Sequence, residues 1–256
     1  MIEIDRRIVE SYPKFSKDIY WSMDRTLYKI CKFDLSTLNR INFLKYVYGL
    51  DNVPGLNLPL SLLYDDEIYG YEMAYINGSC NIDEYISVSN KDKDVRKIIS
   101  SIFEALKEIH KHFIFIDVRN SNILVKDNSA IFIDWDFGII KGTEDYARFY
   151  YGVLTRKYIG TVLEDLAKAF ISALSLLYHC DIELFMTTHN LLDLQSLLES
   201  INADKEIIHC IKLFTALYIY DERVKDFDFT NMFLNVNLPT KKEKELIRER
   251  INRKKN

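Results

Sequence analysis

Cysteine is scarce in this sequence, and long apolar runs are absent from it. No two of its four cysteines stand at the spacing of a metal site, and the five histidines form no cluster with them. We therefore expect no zinc site and a reducing, cytoplasmic compartment. No apolar stretch is long enough to span a bilayer, and the first residues lack the apolar core of a signal peptide, so we expect no membrane segment and no export. The cysteines are Cys31, Cys80, Cys180 and Cys210.

A large excess of either charge is missing as well. The chain has 34 Lys and Arg residues against 38 Asp and Glu residues, which gives a formal net charge of −4. This balance argues against nucleic acid as the main partner. The stretch from Lys241 to Lys255 is an exception, because it holds eight Lys or Arg against three Glu. We interpret it as a solvated terminal helix carrying Leu246, Ile247 and Ile251, in preference to an RNA or lipid contact.

Internal repeats and low-complexity tracts are also absent. The chain has 256 residues, of which 48% are hydrophobic and 28% charged. This composition is typical of a soluble globular protein, and the length suffices for one large domain or two lobes with substantial cores.

The most informative stretch is residues 113 to 140, where polar side chains flank two apolar segments. Ile123 to Val125 and Ala130 to Ile133 are joined by the turn-forming Asp127-Asn128-Ser129, which predicts a buried β-hairpin. Folding this hairpin brings carboxylate and amide side chains together at its open end. Such oxygens are the ligands that Mg²⁺ prefers, completed by water and substrate phosphates, so we predict a magnesium-phosphate site. The side chains are Asp117 and Asn122 before the first strand, and Asp134 and Asp136 after the second.

The segment from Asp117 to Val125 resembles the catalytic loop of protein kinases, in which an Asp and an Asn separated by four residues precede an aliphatic strand. Ile133-Asp134-Trp135-Asp136-Phe137-Gly138 resembles the metal-binding Asp motif of the same superfamily. The resemblance implies an α+β, bilobal protein-kinase-like fold with a small β-rich N-lobe and a larger, mostly helical C-lobe. It also implies ATP and Mg²⁺ as cofactors.

By this resemblance Asp117 is the catalytic base that orients the attacking hydroxyl, and Arg119 neutralises charge on the transferred phosphate. Asn122 and Asp134 would hold the metal. Asp136 begins the literal Asp-Phe-Gly string, but the metal-binding Asp should directly follow the apolar strand that ends at Ile133. Aminoglycoside and choline kinases use a similar Ile-Asp-aromatic motif. We therefore choose Asp134, with Asp136 as the alternative ligand.

In the N-terminal part, Asp18 to Trp21 and Thr26 to Phe33 are strand-like runs, and residues 22 to 25 between them predict the turn of a hairpin. The second run contains Lys29, placed like the kinase lysine that reaches the α and β phosphates. The residues from Asp66 to Ile76 are interpreted as a strand pair that leads into a segment resembling the kinase hinge. By resemblance, Met73 lies at the back of the nucleotide pocket, and backbone groups of Ala74, Tyr75 and Ile76 contact the adenine.

Two parts of an active kinase's phosphate machinery are missing. Residues 10 to 19, where a glycine-rich loop is expected, contain Pro13 and no glycine. Leu35 to Tyr48 has the spacing of a helix, yet no acidic residue stands between Asp34 and Asp51 to pair with Lys29. Arg40 stands about where the helix glutamate is expected.

The C-terminal part has helical periodicity. Apolar residues from Val95 to Phe113 predict a long buried helix that leads into the Asp117 loop, and Leu163 to Tyr178 predicts another. Asp165 resembles the kinase Asp that accepts amide hydrogen bonds from the catalytic loop, and it is equally compatible with a helix N-terminal acid. Leu191 to Ile201 and Glu206 to Tyr220 also look helical. Arg223 follows, where kinases place an arginine that braces the C-lobe.

Phe115 and Ile116 precede Asp117, where protein kinases have His and Arg, and that Arg pairs with a phosphate on the activation segment. We therefore hypothesise that activity does not depend on such a phosphate. Hydroxyl side chains that could accept one are nevertheless present. They are Tyr146, Tyr150, Tyr151, Thr155 and Tyr158.

We divide the chain into an N-lobe at 1–77, a helical C-lobe at 78–238 and a basic C-terminal helix or tail at 239–256. The leading hypothesis is an ATP- and Mg²⁺-dependent kinase that phosphorylates Ser/Thr hydroxyls of a protein substrate. One alternative is a small-molecule kinase similar to the aminoglycoside and choline kinases, with a hydroxyl-bearing acceptor. Another is a pseudokinase that serves as a binding or scaffold module.

Overall fold

The computed structural model describes residues 1–31, 37–89, 94–141, 161–215, 224 and 226–253. The fold is α+β, as expected, with a six-stranded sheet built from the first 73 residues and helices after it. In the sheet, β1 (Ile2–Glu3) pairs in parallel with β5 (Pro59–Asp65), and the other neighbouring pairs are antiparallel. The remaining strands of the sheet, in spatial order from β5, are β6 (Glu67–Met73), β4 (Leu27–Ile30), β3 (Ile19–Trp21) and β2 (Lys14–Ser16).

Tight turns set the hairpins of this sheet. The predicted hairpin around residues 22 to 25 is confirmed, because β3 and β4 pair with Ser22 N–H donating to the Thr26 carbonyl at 3.0 Å. The expected strand pair at Asp66 to Ile76 is wrong in its bounds. β5 already begins at Pro59, and Asp66 makes the turn into β6 with a positive φ of 59°, a conformation that Asp tolerates better than most residues.

The helices agree with the predicted periodicity except at one end. The long helix stops at Ile109, and Phe113 belongs to a strand, because residues 110 to 112 turn the chain and Phe113 pairs in a ladder. The other predicted helices are confirmed within the described residues. The helices are α1 (Arg6–Ser11), α2 (Thr37–Tyr48), α3 (Ile82–Val88), α4 (Arg96–Ile109), α5 (Val162–Tyr178), α6 (Ile182–Met186), α7 (Leu191–Ser200), α8 (Lys205–Thr215), α9 (Phe229–Asn235) and α10 (Lys241–Arg253).

The predicted central hairpin is confirmed as the pair β9 (Ile123–Lys126) and β10 (Ser129–Phe132). Asp127 and Asn128 both have positive φ, at 49° and 65°, as a two-residue type I′ turn requires. β7 (Cys80–Asn81) extends this hairpin to three strands. Beside it, β8 (Phe113–Ile114) pairs with β11 (Ile139–Ile140).

Both faces of the six-stranded sheet are covered by apolar side chains. On one face, Val9 of α1 packs with Tyr20, Ile30, Leu63 and Tyr69. The other face belongs to a large core that continues from the strands through α4 and α5 to Ile247 and Ile251 of the terminal helix. Burial of this continuous core is the main force that holds the sheet and the helices together.

Several predictions lie outside the described residues or are left open by the fold. Arg223 and the hydroxyls at positions 146 to 158 are outside, as are residues 216 to 220 of the predicted helix and the start of the helix before residue 37. The division at 1–77, 78–238 and 239–256 stays a prediction. Among the described residues, no helix is both long and apolar enough to cross a bilayer.

A substitution at Gly70 tests how closely strand β6 approaches strand β4. A Cβ at Gly70 would stand 2.2 Å from the carbonyl oxygen of Lys29, whereas one at Gly49 would stand 3.4 Å from its nearest neighbour, the carbonyl oxygen of Tyr46. We expect Gly70→Ala to lower the free energy of unfolding by about 1–3 kcal/mol through overpacking. The control Gly49→Ala should stay within about 0.5 kcal/mol of the parent protein. Denaturant unfolding measures both, and equal stability of the two variants would contradict the close approach.

Candidate active site

Lys29 meets two carboxylates from the far end of the central hairpin. Its side chain is largely buried on β4, and its Nζ contacts Oδ1 of Asp134 and lies 2.7 Å from Oδ1 of Asp136. Burial by itself lowers the pKa of the Lys29 ammonium, but the charges of Asp136 and Asp134 outweigh it and raise the pKa above its ordinary value. Lys29 is therefore a buried cation that two acids neutralise, and the sheet and the hairpin meet at this contact.

The backbone between the two acids explains why both reach Lys29. Asp134 has a left-handed conformation with a φ of 64°, and a single 3₁₀ turn follows it at Trp135–Phe137. This turn sends Trp135 the other way, into the core, where its ring stacks on Tyr71 at 4.6 Å and its Nε1 donates to the Asn57 carbonyl at 2.8 Å. The fully buried indole thus fixes the turn that presents Asp134 and Asp136.

Gly138 allows helix α2 to approach this turn. A Cβ at Gly138 would stand 2.4 Å from Cζ of Phe43, a buried residue of α2 whose ring packs edge-on against Phe113 at 5.1 Å. Gly138 has an ordinary negative φ, so space and not backbone conformation favours glycine here. The glycine of the Asp-Phe-Gly string is therefore a packing residue in this protein.

Arg40 connects α2 to the same turn. Its Nη1 donates to the backbone carbonyl of Asp136 at 2.7 Å, and its guanidinium carbon lies 4.8 Å from the centroid of the Phe137 ring. The sequence placed Arg40 at the position of a missing acid but gave no indication of these contacts, because they depend on how α2 packs against residues almost a hundred positions later.

Asp117 and Asn122 form the other half of the site. The Asn122 amide donates to the Asp117 carboxylate at 3.0 Å and to the Asp117 carbonyl at 2.9 Å, and Arg119 donates to the same carboxylate at 2.5 Å. The Asn122 carbonyl accepts a hydrogen bond from the Ile133 N–H at 3.0 Å. Because Ile133 directly precedes Asp134, the structure brings Asp117, Asn122 and Asp134 to the same end of the hairpin.

The residue before Asp117 is held in an unfavourable conformation. Ile116 has a φ of 70°, which is rare for a β-branched side chain. Its N–H donates to Oδ1 of Asp165 at 2.8 Å, and its carbonyl accepts from Lys168 Nζ at 2.8 Å. Such strain persists only where the surroundings over-determine the conformation, and here both sides of the residue are hydrogen-bonded by α5.

Asp165 combines the two roles that its sequence position left open. It has no exposed surface, and its Oδ2 accepts from the Phe115 N–H at 2.8 Å and contacts His110 Nε2 at 2.9 Å. It also lies in the first turn of α5, so both roles coexist. Lys168 was missed, although its position three residues after Asp165 puts it on the same helix face.

A cavity of about 340 Å³ opens beside Asp117 and Arg119, between the Asp117 loop, α5 and α6. Phe137 and Met186 contribute apolar walls. Glu183 of α6 also lines it and accepts a hydrogen bond from the Asn120 N–H at 2.8 Å. Burial raises the pKa of the Glu183 carboxyl. Sequence reasoning missed Glu183, because nothing local indicates that α6 packs against a loop residue 63 positions earlier.

The hinge-like segment adjoins the sheet, but part of its backbone is already engaged. Met73 ends β6 and is buried opposite Leu27. The Ala74 carbonyl accepts from the Asn57 amide at 3.1 Å, and the Ile76 carbonyl accepts from the Ser79 hydroxyl at 2.7 Å. The partly exposed Tyr75 ring packs on Trp21 at 4.9 Å. Adenine contacts by Ala74, Tyr75 and Ile76 stay a prediction.

The donor set fits a Mg²⁺ ion that phosphates and water complete. Among the described residues, no group of three or more His, Cys, Asp or Glu side chains could hold a metal ion alone. Asn122 and Asp134 together supply one amide and one carboxylate, a set typical of Mg²⁺ sites that share the ion with a nucleotide. The Asp134 side chain is 30% exposed, whereas that of Asp136 is 9% exposed, so Asp134 is the more accessible of the two carboxylates.

Comparison with protein-family models gave no match, and no curated protein proved to be a relative of the chain.

Replacing Asp165 tests the support of the Asp117 loop. We expect Asp165→Ala to lower the free energy of unfolding by about 2–6 kcal/mol, because the buried N–H groups of Phe115 and Ile116 lose their acceptor, at about 1–3 kcal/mol each. Asp181→Ala, which removes the aspartate that caps α6, should cost about 1 kcal/mol. Denaturant unfolding compares the two. Equal losses would mean that Asp165 acts only as a helix N-terminal acid.

Proposed function

We propose that this protein is an ATP- and Mg²⁺-dependent phosphotransferase with a bilobal, protein-kinase-like arrangement of the sheet and the helical part. The observation that carries the proposal is the convergence of Lys29, Asp117, Asn122 and Asp134, which come from separate elements and meet around the open end of the β9–β10 hairpin. An ordinary hairpin has no need for a buried lysine from a distant sheet at that end.

Each side chain has a chemical role that suits its surroundings. Asn122 and Asp134 would hold Mg²⁺, which would neutralise charge on the nucleotide phosphates. Lys29 provides a fixed positive charge for the phosphates. Asp117 accepts the proton of the acceptor hydroxyl and orients it for attack. The Asn122 amide bonded to the Asp117 carboxylate keeps that base in position.

Arg119 is the cation for the transferred phosphate. It pairs with Asp117 at 2.5 Å, yet 46% of its side chain is exposed. Exposed ion pairs contribute little free energy, so Arg119 can leave Asp117 for a phosphate at low cost. The same movement releases the Asp117 carboxylate for the acceptor hydroxyl.

A Ser/Thr side chain of a protein substrate is the first candidate acceptor. The cavity of about 340 Å³ beside Asp117 favours a second candidate, a small hydroxyl-bearing molecule, because its volume lies within the range of ligand pockets. A pseudokinase that binds without catalysis is the third. The absence of glycine between residues 10 and 19 supports it, since backbone amides approach phosphates less closely without glycine.

Asp117→Asn separates catalysis from binding. We expect transfer of labelled phosphate from Mg-ATP to fall by about 10²–10⁴-fold, because general base catalysis contributes that much, while Mg-ATP affinity stays within a few-fold. Asp127→Asn, in the exposed hairpin turn, is the matched control and should retain full activity. Generic protein substrate and a panel of small alcohols are offered in parallel. Transfer only to the alcohols would favour the second candidate, and equal activity of Asp117→Asn and the parent would contradict the role of Asp117.

Asp134→Asn tests nucleotide binding. Mg-ATP at one hundred times its dissociation constant should stabilise the parent protein by about 2.7 kcal/mol, and Asp134→Asn should lose most of this gain. Thermal unfolding with and without Mg-ATP measures it. If Mg-ATP does not stabilise the parent protein and phosphate transfer does not exceed the Asp117→Asn background, the proposed phosphotransferase activity is refuted. Stabilisation without transfer would favour the pseudokinase.

A further inference from the structure

We infer that Asp136 is a positioning residue that holds Lys29 for the nucleotide phosphates, in place of an acid from helix α2, and that Arg40 of α2 fixes the backbone of Asp136. This inference rests on the proposed nucleotide site and assigns Asp136 a role other than metal ligation.

Lys29 requires a permanent carboxylate partner. Its side chain is 9% exposed, and an ammonium buried to that extent is costly unless it is paired. Helix α2 packs against β5 and the Asp134–Phe137 turn but contains no acidic residue between Thr37 and Tyr48. The pairing that the helix does not supply comes from the turn after β10.

The two acids of this turn have different surroundings, and we assign them different roles: Asp134 binds the metal ion, and Asp136 pairs with Lys29. Asp134 is the more exposed and adjoins Asn122 through Ile133, so it is open to a metal ion. Asp136 is buried and lies 2.7 Å from Lys29. Burial, followed by the charge of Asp136, raises the pKa of the Cys31 thiol well above its ordinary value. If Asp134 is engaged by metal, Asp136 still neutralises Lys29.

Arg40 completes the arrangement from the helix side. Its hydrogen bond to the Asp136 carbonyl and its position over the Phe137 ring hold the Asp136–Phe137 segment against α2. A planar guanidinium can make the hydrogen bond and the ring contact together, which a lysine ammonium cannot do equally well. Compared with the lysine–glutamate pair of protein kinases, the charges are exchanged: the turn provides the acid for Lys29, and the helix provides a cation for the turn.

A double-mutant cycle tests the positioning role. Mg-ATP binding is measured calorimetrically for the parent protein, Lys29→Met, Asp136→Asn and the double variant. We expect each single variant to weaken binding by about 10- to 100-fold, the range for a hydrogen bond to a charged group. The double variant should bind no more weakly than the weaker single variant, because both changes remove one interaction. Additive losses, or unchanged affinity of Asp136→Asn, would overturn the inference.

The magnesium dependence separates positioning from metal ligation. The ratio of the ATP affinity with saturating Mg²⁺ to the ATP affinity without Mg²⁺ should fall about tenfold or more in Asp134→Asn, whose change removes a metal ligand. This ratio should stay within twofold of the parent value in Asp136→Asn. A fall in Asp136→Asn equal to that in Asp134→Asn would make Asp136 a metal ligand and overturn the inference. Asp136→Glu, which keeps the charge, should recover part of the affinity that Asp136→Asn loses.

Arg40 is tested by two substitutions in the same assay. Arg40→Met should weaken Mg-ATP binding about three- to tenfold, because the turn loses the Arg40 hydrogen bond and ring contact. Arg40→Lys should recover only part of the lost affinity. Full affinity in Arg40→Met would overturn the role of Arg40. The parent protein provides the reference: if it binds no Mg-ATP, the proposed function fails and this inference with it, whereas parent binding with an unaffected Asp136→Asn variant overturns the inference alone.

Discussion

The buried ammonium of Lys29 determines how the sheet meets the rest of the chain. Two carboxylates from the turn after β10 neutralise it, and the loss of both would leave an uncompensated buried charge at a cost of about 3–5 kcal/mol. The cation on β4, the acids after β10 and the Trp135 anchor between those acids are therefore interdependent. Gly70 and Gly138 provide the space in which the elements can approach closely enough to make the contact.

A second interaction holds the other half of the site. Asp165 and Lys168 of α5 hydrogen-bond the backbone around Ile116, whose left-handed conformation is maintained only by such support. Asp117 follows directly, so its carboxylate is presented by a strained but fixed backbone. Asn122 then joins this half to Asp134 through the hairpin. Two rigid supports, the Lys29 pair and the α5 helix, thus orient the side chains to which we assign the chemistry.

The sequence predicted individual turns and helices, but it did not predict the contacts between elements that are distant in the chain. The turn at Asp127-Asn128 and its apolar flanks predicted the hairpin, because turn chemistry and alternation are local signals. Helical periodicity identified α4 and α5, but Phe113 was assigned to the helix since a β-strand of two residues has no period of its own. The contacts of Arg40, Lys168 and Glu183 depend on packing between elements distant in sequence, so spacing alone could not predict them.

The claim that these side chains form a Mg-nucleotide site is tested most directly by a crystal structure of the protein with Mg²⁺ and a non-hydrolysable ATP analogue. The account predicts a metal ion bound by Asn122 and Asp134 oxygens at about 2.0–2.1 Å, with the analogue's phosphates beside Lys29 and with Asp136 still paired to that lysine. A metal ion and nucleotide bound away from Asn122 and Asp134, or none bound at saturating concentration, would contradict it.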